Sequence, residues 1–393
     1  MNLNHYVMED ALEYLIDYRG KTPQKSDTGI PTLSAKSVKN GYIDYSECYY
    51  ISPEEYKRFM VRGFPKVGDV LLTTEAPMGM TARLDRDDVG IAQRLITLRG
   101  KEGILDNNYL LYYLQSPIGQ HKLAERETGS TVTGIKQAEF RKIEIDIPNI
   151  DVQRKIAACL TCIDKKTENN KQINRNLSEQ AQTLFKSWFI DLEPFNGEVP
   201  ENWSTGVLKD ILQLKKDGIK AGERPELPYL PIDVIPMNDF SIKEVKPNEE
   251  AQSSLITFDK DDILIGAMRV YFHRVVIAPF DGITRSTCFV LRPYDDAFLS
   301  FGLLCCNQNS SIDYAQATSK GSTMPYAVWD NGLGDMVITI PDRKTAKEFN
   351  DLIKPMLANI QQSFYEINRL KELRDSLLPK LMSGELDVSD LDI

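Results

Sequence analysis

Hydroxyl and ammonium side chains gather in two similar stretches of the sequence. The first reads GSTVTGIKQAEFRKIEIDIPN from Gly129, and the second reads GSTMPYAVWDNGLGDMVITIPD from Gly321. Donors that follow a flexible glycine are suited to hold phosphate oxygens, although an ordinary turn with satisfied hydroxyls has the same composition. The candidate donors are Ser130, Thr131 and Lys136 in the first stretch and Lys320, Ser322 and Thr323 in the second.

A basic segment and the end of an apolar run supply further candidates. Lys36, Lys39 and Asn40 in AKSVKNG predict a basic turn, which would contact phosphates or remain a solvated loop. Thr73 and Thr74 close the strand-like run DVLLTT and are included among the candidate polar contacts.

Other side chains match the hydrogen-bonding edges of bases. Gln93 and Arg94 in GIAQRL and Arg285 in GITRST occupy similar places in the two halves of the chain. Glutamine suits adenine, and arginine suits guanine. The run MRVYFHR predicts a strand with three polar side chains on one face, although an exposed edge strand would look the same. These three are Arg269, Tyr271 and His273.

Catalytic and metal-binding patterns are scarce. The sequence contains no Walker loop, Rossmann fingerprint, His-Glu-x-x-His or Gly-x-Ser-x-Gly. Glu55 in SPEEYKRF mimics a nuclease carboxylate, but a capping box with Ser52 explains it. Cys159 and Cys162 lie in a helical pattern, and only three histidines accompany the six cysteines. We therefore expect a non-catalytic chain with reduced thiols and no metal site.

The two stretches belong to a long internal repeat. Their first glycines are 192 residues apart and their Ile-Pro prolines 193 apart, far beyond the period of solenoid repeats. FPKVGDVLL and FDKDDILI recur in the same order, headed by Asp69 and Asp262, and LR recurs at Arg99 and Arg292. Upstream, ALEYLID from Ala11 is aligned with VLKDILQ from Val207. The pattern predicts two copies of one mixed α/β domain.

A long helix is predicted after each Ile-Pro. A 4,3 spacing produces an apolar seam in the second copy and a seam with a polar centre, Thr167, Asn170 and Asn174, in the first. The two helices should pack antiparallel, and Pro379 should end or kink the second near Leu378. The seam residues are Ile156, Leu160, Ile163, Leu177 and Leu184 in the first helix and Phe349, Ile353, Met356, Ile360, Ile367, Leu370 and Leu377 in the second.

The predicted fold class is α+β, with two mixed α/β domains related by pseudo-twofold symmetry and separated by two long antiparallel coiled-coil helices. The predicted ranges are 1–150 for the first domain, 151–192 for the first helix, 193–206 for a linker, 207–342 for the second domain, 343–384 for the second helix and 385–393 for an acidic tail. No apolar run is long enough for a membrane span and no signal segment opens the chain, so we expect a cytoplasmic protein.

The repeated motifs resemble one family. IPxL-x-A-K-x-V-K-N-G, the Gly-Ser-Thr phrases, IPN-x-D-x-Q-R-K-I and the ending LLPKLMSGEL are similar to the specificity subunits of type I restriction-modification enzymes over essentially the whole chain. The family commonly has Glu-Gln after the Ile-Pro phrase, where this chain has Val152-Gln153 and, in the second copy, Lys344-Thr345-Ala346. This departure bears on partner contacts rather than on the fold.

The resemblance implies two target-recognition domains, each reading one half of an asymmetric double-stranded DNA site, with the helices setting the spacer. It also implies two modification subunits that carry S-adenosylmethionine and methylate adenine, and restriction subunits that use ATP and magnesium. This chain itself would bind no cofactor. Two alternatives stay open, namely a related system whose partner fuses methylase and nuclease, and a scaffold that does not bind DNA. The net charge of −10 requires any DNA contact to be local.

Overall fold

The computed structural model describes residues 2–18, 22–129, 133–252 and 254–391. The chain forms two compact units. Unit 1 comprises Met1–Lys165 together with Lys371–Ile393, and unit 2 comprises Lys166–Leu370. Two long helices, α6 (Ile150–Phe189) and α9 (Arg343–Ser383), each contribute residues to both units.

Unit 1 begins with strands and short helices that precede α6. In chain order these are β1 (Asn4–Val7), α1 (Met8–Ala11), β2 (Leu12–Asp17), β3 (Ile30–Leu33), β4 (Tyr49–Ile51), α2 (Pro53–Phe59), β5 (Val70–Thr73), β6 (Thr81–Arg83), β7 (Gly90–Ile91), β8 (Leu95–Gly100), α3 (Asn107–Gln115), α4 (Pro117–Glu125), α5 (Gln137–Phe140) and β9 (Glu144–Ile147).

Unit 2 has a similar succession of strands between α6 and α9. Its elements are β10 (Ser204–Val207), β11 (Leu212–Lys215), β12 (Gly218–Ile219), β13 (Leu255–Phe258), β14 (Ile263–Gly266), β15 (Val275–Ile277), β16 (Gly282–Arg285), β17 (Cys288–Pro293), α7 (Leu299–Cys306), α8 (Asn309–Ala317) and β18 (Val337–Ile340).

The four-stranded sheets of the two units have the same strand order. Unit 1 contains an antiparallel sheet β2-β8-β5-β6, and unit 2 contains the matching sheet β11-β17-β14-β15. Val70 of β5 lies opposite Leu98, and Ile263 of β14 lies opposite Leu291, each residue 193 positions after its counterpart. β5 and β14 are buried along their whole length, which explains why both read as unbroken apolar runs.

A buried ion pair anchors the equivalent strand start in each unit. Asp69 accepts two hydrogen bonds from Arg99, at 2.7 and 2.8 Å, and Asp262 accepts two from Arg292, at 2.6 and 2.8 Å. Each carboxylate also accepts a backbone N–H from the residue three positions earlier, at 2.8 Å. The hydrogen bonds that Arg99 donates to Asp69 raise the pKa of Arg99. The aspartates that the repeat aligned are therefore structural.

The long helices pack antiparallel within each unit. In unit 2, Phe185 near the end of α6 meets Phe349 near the start of α9, with ring centroids 6.2 Å apart. In unit 1, Asp164 of α6 and Arg374 of α9 lie 3.6 Å apart between Oδ1 and Nη1. The predicted α+β fold with antiparallel long helices is thus confirmed.

The helix seam carries the predicted apolar residues and a buried polar centre. Ile156, Leu160, Phe349, Ile353, Ile360 and Ile367 are buried, and Ile163, Leu177, Leu184, Met356, Leu370 and Leu377 are partly buried. Asn170 and Asn174 are also buried, and their Nδ2 and Oδ1 atoms respectively have no hydrogen-bond partner among the described residues. The polar centre therefore lies in the seam itself.

Two sequence expectations are corrected. Helix α9 continues through Pro379 to Ser383, because Leu381 and Met382 are buried in the core of unit 1 and hold the last turn. The predicted acidic tail follows this helix, and its residue Val388 is buried in the same core. In the folded chain, the position in unit 2 that is equivalent to Ala11 is occupied by Ile211 rather than by Val207. Ala11 O accepts from Lys101 N, and Ile211 O accepts from Tyr294 N.

Helix α2 begins at the predicted cap. Ser52 Oγ accepts a hydrogen bond from Glu55 N at 3.1 Å, and Pro53 occupies the first helical position. The Glu55 carboxylate binds Gln24 N at 3.0 Å and Arg58 at 2.7 Å, instead of returning to Ser52 N. Glu55 therefore has a structural role.

Candidate nucleic-acid interface

Three segments meet beside the end of β5 in unit 1. We call them together the unit 1 loop cluster: the β5–β6 loop (74–80), the turn before β8 (92–94) and the ends of the Gly-Ser-Thr loop (128–129 and 133–134). Thr128 and Gly134 close the last loop with paired backbone hydrogen bonds of 2.8 and 3.1 Å. Thr74 joins the segments, because its O accepts from Ile135 N and its N donates to Arg94 O, both at 2.9 Å.

Unit 2 builds the same arrangement. Its loop cluster comprises the β14–β15 loop (267–274), the turn before β17 (286–287) and the loop 320–326. Lys320 and Tyr326 close that loop with two backbone bonds of 2.9 Å. Ala267 replaces Thr74 as the joint, accepting from Ala327 N at 2.8 Å and donating to Thr287 O at 3.0 Å. The backbone scaffold is therefore duplicated.

Glycines permit the tight approach in both clusters. Gly129 and Gly321, which open the two phrases, have φ values of 114° and 88°, in the region that favours glycine. At Gly134 an added Cβ would lie 2.5 Å from Thr74 O, so a side chain there would push the Gly-Ser-Thr loop away from the β5–β6 loop.

The side chains at equivalent positions differ between the clusters. In unit 1, Arg94 Nε lies 2.9 Å from Glu75 Oε1, and about half of the arginine side chain remains exposed. Applying the same backbone correspondence, Met268 stands in unit 2 where Glu75 stands in unit 1, and Thr287 stands where Arg94 does. An exposed, oriented guanidinium thus characterises unit 1.

A cavity of about 700 Å³ opens at the unit 2 cluster. Phe289 and Trp329 are buried in its wall, with ring centroids 6.1 Å apart and planes inclined at 67°. Burial raises the pKa of the wall thiol Cys288 to about 12, so that it is neutral and apolar in character. The other lining residues are Leu214, Lys215, Lys216, Ile256, Ala267, Met268, Ser286, Thr287, Lys320, Tyr326, Ala327, Val328 and Asp330.

Several predicted residues lie at or near these clusters. The exposed Lys136 follows the unit 1 loop as the N-cap of α5. Lys36 and Asn40 are exposed and Lys39 partly so, in the predicted turn between β3 and β4. Gly41 N donates to Thr81 O at 2.8 Å, which brings this basic turn next to the end of the β5–β6 loop.

In unit 2 the predicted side chains belong to loops. Lys320, Ser322 and Thr323 are exposed in the loop 320–326. Arg285 is exposed at the end of β16, close to the turn before β17, while the residue bonded like Arg94 is Thr287. Gln93 is partly buried beside Arg94 in unit 1.

The predicted strand through Arg269, Tyr271 and His273 is wrong. Arg269 and His273 have φ values of 50° and flank a short 3₁₀ turn, Val270–Phe272, within the β14–β15 loop. The loop bends because Arg269 N donates to Pro325 O at 2.8 Å, joining it to the loop 320–326. Arg269 and Tyr271 remain exposed, whereas His273 Nε2 contacts Asn307 at 3.0 Å.

Thr73 and Thr74 are withdrawn as candidate contacts because both are buried. Thr73 Oγ1 donates to Pro77 O at 2.6 Å and accepts from Met80 N at 2.9 Å, so its hydroxyl holds the loop. Ser130 and Thr131 lie outside the described residues. Sequence reasoning missed Glu75, Met268, Tyr326 and Trp329, although the 193-residue offset would have linked Glu75 to Met268.

The described residues contain neither a candidate metal centre nor a candidate membrane-spanning helix. Cys159 and Cys162 lie on α6, and the described residues contain no group of three or more histidine, cysteine, aspartate or glutamate side chains placed to hold a metal. Within the same residues, no helix combines the length and apolar content needed to cross a bilayer.

Comparisons with known proteins show which proteins this chain resembles. Residues 16–179 match the family model described as Type I restriction modification DNA specificity domain. The Type I restriction enzyme MjaIX specificity subunit of Methanocaldococcus jannaschii is 28% identical, covering 92% of this chain and 88% of its own. The Type I restriction enzyme HindI specificity subunit of Haemophilus influenzae is 26% identical, covering 50% of this chain and 38% of its own.

A solved structure is similar over nearly the whole length. The S subunit of a type I restriction-modification system from M. genitalium aligns with a TM-score of 0.63 at 16% identity, covering 97% of this chain and 96% of that one. This likeness concerns the fold. Together, the findings confirm the resemblance predicted from the sequence: this chain is similar to the specificity subunits of type I restriction-modification systems.

Proposed function

We propose that this specificity subunit reads a bipartite, asymmetric DNA sequence, one half with each loop cluster. The observation that carries the proposal is one backbone scaffold built twice with different side chains at equivalent positions. Two copies of a scaffold supply two readers. Because base sequence is read by side chains rather than by the scaffold, the two halves of the site would differ.

Exposed cations at each cluster support contact with duplex DNA. In unit 1, Lys36, Lys136 and the partly exposed Lys39 would bind phosphates, while Arg94 would read a base edge from its orientation against Glu75. In unit 2, Arg269 and Lys320 would hold the phosphates. These local cations allow DNA binding despite the net charge of −10.

Partner subunits would supply the chemistry. We propose that two modification subunits, carrying S-adenosylmethionine, assemble on this chain and methylate adenine, and that restriction subunits using ATP and magnesium join them. The chain offers recognition and assembly, and it binds no cofactor itself. Positive surface on the partners would complete the grip on DNA that the acidic composition limits.

The functional test is the methylation pattern of cellular DNA. Long-read detection of methylated adenine in cells with and without this gene should reveal a two-part asymmetric motif that disappears on deletion. If no motif is lost although the modification subunits are present and co-purify with the chain, the proposal fails. A motif accompanied by one fused methylase-nuclease partner would identify the related system.

The long helices would set the spacer between the half-sites. One heptad inserted in both helices at the boundaries of the units, after Lys165 and after Leu370, leaves the contacts within each unit intact. Seven residues add about 10 Å at about 1.5 Å each, comparable to about three base pairs. The methylated motif should retain both halves and change its spacer. An unchanged spacer in an assembled complex would contradict this role.

A further inference from the structure

We infer that the cavity of the unit 2 loop cluster receives a single unstacked nucleobase from the bound DNA. This inference rests on the proposed function and adds to it a mode of recognition in one half of the site. It is carried by the position of the cavity, the chemistry of its wall and the charge around its mouth.

The position follows from the scaffold. The cavity is lined by residues from all three segments of the unit 2 loop cluster, including Met268, Thr287 and Tyr326. In unit 1 the positions of Met268 and Thr287 hold the ion pair of Glu75 and Arg94. The apolar cavity of unit 2 therefore lies where unit 1 has two charged side chains on the same backbone scaffold.

The wall suits a flat aromatic ring. Phe289 and Trp329 present aromatic surface, and Ala267, Cys288 and Ala327 are small and buried. A volume of about 700 Å³ falls within the range of about 300 to 1,000 Å³ typical of small-ligand sites, so a base with its sugar can enter. Enzymes that extract a base hold it in this way, between aromatic and apolar side chains.

The mouth suits the phosphates on either side of that base. Lys215, Lys216 and Lys320 line the cavity. Lys216 lies 3.8 Å from Asp330 with both side chains largely exposed, and Lys215 lies 3.4 Å from Asp217. Lys320 makes no ion pair among the described residues. Because exposed ion pairs are weak in water, Lys215 and Lys216 can each leave the paired carboxylate and bind a phosphate instead.

Polar groups at the mouth can define the base. The hydroxyls of Ser286 and Thr287 make no side-chain hydrogen bond within the described part of the chain, and both residues line the cavity. A base that entered edge-first would meet these donors and acceptors, whereas a purely apolar ligand would leave them unpaired. This combination favours a nucleobase over an aliphatic side chain of a partner protein.

The test uses the complex of this chain with its modification subunits and duplexes carrying the methylated motif. 2-Aminopurine, which brightens when it leaves the base stack, replaces each base in turn on both strands of the half-site read by unit 2. We expect a severalfold rise in fluorescence at one position other than the methylated adenine, which the modification subunit would itself extrude from the base stack. The double variant Met268→Glu/Thr287→Arg, which installs the unit 1 pair, should abolish that rise and weaken methylation at the motif about tenfold or more.

A matched control adds the same charges elsewhere in unit 2. Ser204→Arg/Thr205→Glu places them on the exposed strand β10 and should leave the fluorescence rise in place. If the wild-type complex methylates its motif while no position in that half other than the methylated adenine brightens, the cavity does not receive a base and the proposed function stands. If the double variant instead releases the modification subunits, the occupant is a protein side chain. If no motif exists, both proposals fail together.

Discussion

The two loop clusters show how one backbone scaffold can carry two different sets of side chains. In both units the loops are joined by backbone hydrogen bonds through equivalent residues, Thr74 and Ala267. Unit 1 adds an oriented ion pair, Arg94 with Glu75, whereas unit 2 has Met268 and Thr287 at the edge of an apolar cavity. Main-chain bonds do not depend on side-chain identity, so the side chains of the clusters can differ between the units while the loops keep their positions.

The ion pairs at the starts of β5 and β14 should distinguish the units most strongly. Arg99 is 14% exposed and depends on Asp69, whereas Arg292 is 33% exposed and also contacts Asp259 at 2.7 Å. Asp69→Ala should lower the free energy of unfolding of unit 1 by about 3 to 5 kcal/mol, because it leaves a mostly buried guanidinium without its paired carboxylate. Asp262→Ala should cost less, about 2 kcal/mol.

Hydrogen exchange of the β5 and β14 amides would measure the two effects separately. Glu13→Ala is the control, since Glu13 is exposed and lies 3.9 Å from Arg99. Equal losses of amide protection in the two units would show that neither the greater exposure of Arg292 nor its contact with Asp259 affects the stability.

Arg94→Ala should alter recognition in one half of the site only. A well-placed arginine contributes about 1 to 3 kcal/mol of discrimination at one base pair. The methylated motif should therefore become degenerate at one position of the half read by unit 1, by about 10-fold to 100-fold in binding competition. Thr287→Ala, at the equivalent place in unit 2, should leave the half read by unit 1 unchanged. A motif unaltered by Arg94→Ala would remove Arg94 from the interface.

Gly134→Ala tests whether the scaffold of unit 1 is more tightly closed. The new Cβ would meet Thr74 O at 2.5 Å, so the Gly-Ser-Thr loop must move, at a cost of about 1 to 2 kcal/mol. Exchange of the Ile135 amide should accelerate. Tyr326→Ala, the corresponding change in unit 2, removes a half-exposed side chain and should leave the Ala327 amide protected. Equal exchange in both variants would contradict the difference.

The smallest effects are expected from single phosphate contacts. Lys136→Ala in unit 1 and Lys320→Ala in unit 2 should each weaken DNA binding for every sequence and reduce the salt slope by about 1. Lys347→Ala on α9, where Lys347 pairs with Asp351, is the control. Binding titrations from low to high salt would measure the slopes, and a slope as steep as that of the unaltered chain would exclude the tested lysine.

The fold was largely predictable because the repeat is carried by structural residues. Asp69 and Asp262, with Arg99 and Arg292, are constrained by burial and pairing, so they persist at a constant offset of 193. The upstream alignment of Ala11 failed because no such pair fixes that segment, and an insertion there is invisible in a short apolar pattern.

The sites were less predictable because they depend on contacts between distant segments. MRVYFHR has the aromatic and β-branched composition of a strand, yet Arg269 must turn to bond Pro325. Pro379 predicts a helix end, but the burial of Leu381 and Met382 outweighs the tendency of proline to end a helix. The Arg94–Glu75 pair joins two loops that only the folded sheet brings together. The DNA-contact residues themselves stay predictions.

The division of the chain has a consequence for its biosynthesis. Unit 2 is one continuous stretch, but the core of unit 1 includes Leu378, Leu381, Met382 and Val388, which leave the ribosome after all of unit 2. A nascent chain therefore holds every residue of unit 2 while unit 1 still exposes the apolar surface that those side chains cover, a state that invites chaperones and aggregation. The part of the protein that is translated first is the last to close.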